Sequence, residues 1–138
     1  MKILIRTLAF YLLLVPLTFL SAQSSLTVEI TDLESNEGVV IIDLLDVNEK
    51  TVRDSTCQIS ELKCTVVFDD LQNAQYAIRY FHDENENEEL DTNFLGIPKE
   101  GIGFSNDALG KFGPKDFSEW LFDVQGDTSV RMTTKYLF

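Results

Sequence analysis

Residues 39–45 read VVIIDLL, a run in which only Asp43 is polar. A short, β-branched and almost continuously apolar segment suits a central strand. On its N-terminal side, beyond the polar turn SNEG, Leu26, Val28 and Ile30 alternate with Thr27, Glu29 and Thr31, the pattern of a half-buried strand. On its C-terminal side a third strand is expected over Cys64 to Phe68 and a fourth over Tyr76 to His82, with DDLQNAQ between them as turn material. Near the end, Trp120, Phe122 and Val124 alternate with Leu121 and Asp123. The turn QGD follows, and Val130, Met132, Thr134 and Tyr136 then alternate with Ser129, Arg131, Thr133 and Lys135. That predicts a closing β-hairpin. No window beyond residue 22 sustains a helical period, so the chain is predicted to be all-β, an antiparallel β-sandwich of about seven strands.

One region breaks the alternation. Thr92 to Ser118 holds five of the seven glycines, two of the three prolines and four phenylalanines. A connection this long inside a small domain is functional or forms a structured lid. Phe94, Phe104, Phe112 and Phe117 are expected to plug the open end of the sandwich rather than to form a ligand platform.

The first 22 residues place Lys2 and Arg6 ahead of an apolar run, Leu8 to Leu20, that closes on Ser21 and Ala22. This order predicts a secretory signal peptide over 1–22, cleaved to leave a single β-sandwich domain over 23–138 that starts at Gln23. The run is broken by Pro16 and lacks a basic flank, so no membrane span is expected after cleavage. The destination is periplasmic or secreted. The whole chain carries a formal charge of −12, and loss of Lys2 and Arg6 makes the remainder more acidic still. Such a surface repels nucleic acid and favours cations and basic partners. Cys57 and Cys64 bracket QISELK, and in an oxidising compartment a disulfide between them is expected, two buried free thiols being the alternative. The spacing does not suit a zinc or redox CxxC site.

The stretch HDENENEELD, residues 82–91, contains six acids and two amides. Calcium takes about six to eight oxygens, and loops that bind it present carboxylates and amides at alternate positions. Asp83, Asn85, Asn87, Glu89 and Asp91 fall at loop positions 1, 3, 5, 7 and 9, with Leu90 turned inward between the last two. Glu88 stands where such loops carry glycine, and Phe94 where they carry a closing glutamate. A weak Ca²⁺ site is therefore expected, with the last ligand drawn from Asp91, another loop or water. A solvated acidic turn is the plain alternative. His82 is the only histidine and adjoins Asp83, but neighbours on a strand point to opposite faces, so a strand-end role bonded to the loop is expected rather than a catalytic dyad. Ser105, Ser118 and Thr92 have no nucleophile motif around them, and GIPKEGIGF lacks dinucleotide-binding spacing.

The string YAIRYFHDENENEELDTNFLGIPKEGIGFSNDALGKFGPKDFSEWLFDV, from Tyr76 to Val124, resembles the signature of domain of unknown function family 2141, a family of small secreted bacterial proteins. The resemblance implies an exported sandwich of the prealbumin-like or carboxypeptidase-regulatory-like kind; by strand pattern alone the sandwich is expected to be prealbumin-like or immunoglobulin-like. It implies no activity, no catalytic residues and a glycine where this chain has Glu88. The expected function is thus an exported non-enzymatic binding or structural module with a calcium-binding acidic loop at 83–91. It would act as a monomer on an unknown protein or small-molecule ligand of the cell envelope. Two alternatives stand beside it. One is a small-molecule hydrolase or isomerase with a pocket under the 92–118 connection, using His82, Asp83 or Asp107. The other is a carbohydrate-binding module using Trp120 and the tyrosines.

Overall fold

Strict alternation makes strand β1 (Gln23–Thr31), in which Leu26, Val28 and Ile30 are fully buried while Thr27, Glu29 and Thr31 are half exposed. The computed structural model describes residues 23–138. The expected leader over 1–22 and its cleavage site lie outside them. Strand β1 is the middle of a three-stranded sheet. It pairs antiparallel with β4 (Cys64–Gln72) on one side and parallel with β10 (Asp127–Thr133) on the other. VVIIDLL forms β2 (Val39–Leu45), the interior of a second sheet ordered β3 (Thr51–Gln58), β2, β5 (Ala74–Asp83) and β6 (Ile102–Phe104), with β9 (Phe122–Val124) added to the start of β5. A small hairpin, β7 (Leu109–Gly110) and β8 (Gly113–Pro114), stands apart. The two larger sheets face each other as a β-sandwich. Its core joins Leu26, Val28 and Ile30 to Val40, Ile42 and Ile78. Each side chain removed from water there contributes roughly 1.5–3 kcal/mol. Among the described residues no helix is long and apolar enough to cross a membrane.

Two expectations about strands are corrected, and one strand is new. The predicted closing hairpin does not form, because β9 pairs with β5 in one sheet while β10 crosses to the other and runs parallel to β1. Alternation reports which face is buried, and two strands joined by a tight turn can still bury their faces in opposite sheets. The turn material DDLQNAQ is almost all strand: β4 runs on to Gln72, β5 begins at Ala74, and only Asn73 lies between. Its Oδ1 meets Ser24 Oγ, which in turn accepts Gly126 N–H at 2.8 Å, so the two crossings between sheets are tied together. Strand β3 was not foreseen, since of its eight residues only Cys57 is buried. It is a polar edge strand, held by its ladder to β2 rather than by apolar burial.

Cys57 is the penultimate residue of β3 at the edge of one sheet, and Cys64 starts β4 at the edge of the other. Both are buried and free in this structure, so the expected cystine is not formed here. Cys57 Sγ donates to the Thr65 carbonyl at 3.5 Å. The neighbouring Cys64 thiol holds the Cys57 thiol below its ordinary value, and Cys57 together with burial pushes Cys64 up.

Candidate functional site

The acidic loop leaves β5 at Asp83, which is fully buried with its backbone oxygen against Gly38. A Cβ on Gly38 would stand 2.0 Å from that oxygen, and its φ is +70°, so only glycine fits. Asp83 accepts the N–H of Asn87 at 3.1 Å on Oδ1 and of Glu88 at 2.8 Å on Oδ2. Asn85 Oδ1 then accepts Asn87 N–H at 3.1 Å, and Asn87 Oδ1 accepts Glu89 N–H at 2.9 Å. The alternate amides are thus successive Asx turns, each bonding the backbone two residues on. Asp91 gathers both amides: Asn85 Nδ2 donates to its Oδ2 at 2.6 Å and Asn87 Nδ2 to its Oδ1 at 3.2 Å. Of the five residues singled out in the sequence, Asp83, Asn85, Asn87 and Asp91 are brought together through one bonded network, and Glu89 joins it through its backbone only.

Glu100 was missed. It is buried, and its Oε1 accepts Glu84 N–H at 3.1 Å while Oε2 accepts Asp91 N–H at 2.9 Å, so one carboxylate clamps both ends of the loop. Burial holds its carboxyl above the ordinary value of 4.5. Nothing in its neighbours Lys99 and Gly101 signals that role, because the pairing exists only once the chain has turned back on itself. Among the described residues no three acidic, histidine or cysteine side chains stand grouped as metal ligands.

His82 is fully buried on the inner side of β5, with Nε2 2.7 Å from the Glu37 carbonyl and Nδ1 2.7 Å from Tyr136 Oη. Since a carbonyl only accepts, Nε2 carries the proton and donates to it, and Nδ1 accepts from the tyrosine. The imidazole is spent joining the strand end to the loop before β2 and to the C-terminal segment. Asp107 is exposed in a 3₁₀ turn, Ser105–Asp107. His82, Asp83 and Asp107 are not brought to one cavity.

The remaining connection folds over the outer face of the β2–β5 pair. That face is a ladder of three rungs: Ile41 opposite Phe81, Asp43 opposite Arg79, and Leu45 opposite Ala77. The Leu45–Ala77 end is covered by Trp120, which packs on Phe104 at 4.5 Å and on Phe117 at 5.4 Å between ring centroids. Ser105, buried, accepts Ile78 N–H at 2.9 Å and donates to the Trp120 carbonyl at 2.6 Å, which pins the connection to β5. Phe104 and Phe117 therefore cover the sheet's outer face rather than the sandwich's end. Trp120 is unavailable for stacking on a sugar. Phe94 and Phe112 contradict the plug expectation outright: they are 95% and 104% exposed. Each sits at a chain reversal, where no core is within reach.

The Ile41–Phe81 end of the face is open. It forms the floor of a cleft of about 860 Å³, walled by Leu95, Ile97 and Pro98 on one side and by Leu109, Phe112 and Pro114 on the other. Leu95 is 69% exposed, and the cleft's charged groups are Asp43, Arg79 and Lys111. Arg79 Nε bonds Asp43 Oδ2 at 2.9 Å. The family model described as an uncharacterized protein conserved in bacteria, domain of unknown function family 2141, matches residues 28–132. No curated protein matches the chain.

Proposed function

Because the chain belongs to domain of unknown function family 2141, whose description carries no activity, we propose from its own surface that it is an exported, non-enzymatic binding module whose ligand lies in the cleft on the outer face of β2 and β5. The observation that carries this reading is the cleft itself, together with the large apolar side chains left in water around it. Leu95 and Phe112, both lining the cleft, are among the most exposed hydrophobic residues described, and an exposed apolar surface of this kind marks an interaction site. The volume of 860 Å³ falls within the range of about 300–1,000 Å³ typical of small-molecule sites. Export is supported by the basic, apolar and small-residue order of residues 1–22.

The acidic loop belongs to the proposal as a calcium-binding strut beside the cleft. Its support is the convergence of Asn85 and Asn87 on Asp91, since rotation of the two amides would turn oxygens toward the carboxylate in place of N–H donors. Ca²⁺ bound there would stiffen the loop that carries Leu90 to the cleft wall.

The cleft is tested with Nile red, a neutral apolar dye. The folded protein should bind it with enhanced, blue-shifted emission, and Leu95→Asp and Ile97→Asp, both at exposed wall positions, should abolish the signal without lowering the melting temperature. Emission that is absent, or unchanged in both variants, refutes the cleft as a binding site.

A further inference from the structure

We infer that the cleft's ligand is a single-chain aliphatic carboxylate, with its chain along the Ile41–Phe81 floor and its carboxylate held by Arg79 and Lys111. The inference rests on the cleft as binding site and adds the chemical class of what enters it.

The charge balance points to an anion. The chain has 23 acidic and 11 basic residues, yet the cleft's charged lining is one acid, Asp43, against two bases, Arg79 and Lys111. Asp43 holds Arg79 at Nε alone, and among the described residues the two terminal nitrogens have no hydrogen-bond partner. A guanidinium fixed at one edge and open at the other presents the paired donors that a carboxylate accepts. Asp43 is a positioning residue in this arrangement. It orients the fork and leaves a net positive charge beside an apolar floor.

The backbone points to an acyl chain rather than a peptide. Strands β2 and β5 are interior to their sheet, with β3 and β6 on their outer flanks, so their N–H and C=O groups are engaged in ladders. A peptide lying across this face would bury backbone groups with nothing to bond. An aliphatic chain has no such groups. The open end of the floor, Ile41 and Phe81, and the walls at Leu95, Ile97 and Leu109 supply the apolar contacts it needs.

The test uses the full mature protein and displacement of Nile red by sodium dodecanoate below its micellar concentration, with 1-dodecanol as the uncharged chain of equal length. Dodecanoate should displace the dye, and dodecanol should be at least about tenfold weaker, as expected when a charge-assisted pair is lost. Arg79→Met should weaken dodecanoate by a similar factor while leaving dodecanol unchanged. Lys111→Ala, at an exposed hairpin turn where folding is not at stake, should weaken dodecanoate by about two- to fivefold. If dye binds but dodecanol competes as well as dodecanoate, and Arg79→Met and Lys111→Ala change nothing, the carboxylate assignment is overturned while the cleft stands. Displacement by an apolar peptide but by neither amphiphile also overturns it. Failure of the dye to bind removes the cleft reading and this inference together.

Discussion

Glu88 adopts φ +63°, the left-handed conformation for which calcium loops use glycine, and Glu86 in the same loop adopts +56°. A left-handed conformation costs a residue with a Cβ about 1–2 kcal/mol, part of which glycine returns as lost chain entropy. The loop accepts that cost because Glu88 N–H is one of the two donors to buried Asp83. Glu88→Gly should therefore raise stability by about 0.5–1 kcal/mol, a few degrees in melting temperature. Glu84→Gly, at a position without positive φ, should lower it. Equal effects of the two substitutions in a thermal melt would refute the strain account. The need for a left-handed residue at position 88 was legible in the sequence, because it follows from the spacing of Asx side chains along a few neighbouring residues. The clamp by Glu100 was not, because its partners at Glu84 and Asp91 are reached only through the folded path of the connection.

At the scale of elements, the chain passes from one sheet to the other between β3 and β4 through Ser60–Lys63, with Glu61 at φ +54° and Leu62 at φ +61°. Both central residues left-handed is the geometry of the tight hairpin turn usually built from Asn-Gly. It brings Cys57, near the end of β3, and Cys64, at the start of β4, close enough for each thiol to shift the other's titration. In protein isolated without reductant from an oxidising compartment, these two thiols should be joined. A thiol titration under denaturing conditions should then find none, and Cys57→Ser should cost about 2–3 kcal/mol, the loop-closure contribution of so short a segment. Two titratable thiols in that preparation would show that the pair stays reduced. Strand β3 itself was invisible to pattern reading, since Thr51, Val52, Arg53 and Asp54 are all exposed and a ladder hydrogen bond leaves no mark on composition.

For the whole molecule, the formal charge of −12 governs how calcium binding must be measured. Any added salt relieves repulsion among so many carboxylates, so magnesium at equal ionic strength is the control. With a dissociation constant of about 10⁻⁴–10⁻³ M, millimolar calcium should add about 1–2 kcal/mol and several degrees in melting temperature beyond the magnesium effect. Asp91→Ala should remove the calcium-specific part, and Glu84→Ala should leave it. Asp91 is the better variant to test, because Asp83 also caps the loop's backbone and its removal would disturb the loop directly. Equal shifts with calcium and magnesium, or an Asp91→Ala variant that responds like the parent, would reduce the loop to a self-bonded acidic turn.

The sequence by itself determined the sandwich class, the buried face of β1, and the alternate spacing of the Asx side chains from which the acidic loop is built. Each of these is decided over a few consecutive residues, by whether side chains alternate toward the core or reach the backbone two positions on. Only the tertiary structure decided which strands are partners. Strand β10 lies parallel to β1, with Ser25 Oγ bonded to Asp127 Oδ1 across 102 residues, and Tyr136 returns to His82 from 54 residues away. The cleft is of the same kind. Its floor comes from β2 and β5, and its walls come from turns near 96 and 112. An apolar residue at a turn, such as Phe112, has the same composition whether it enters a core or stands in water. What separates the two is the position of distant backbone, which no local pattern encodes.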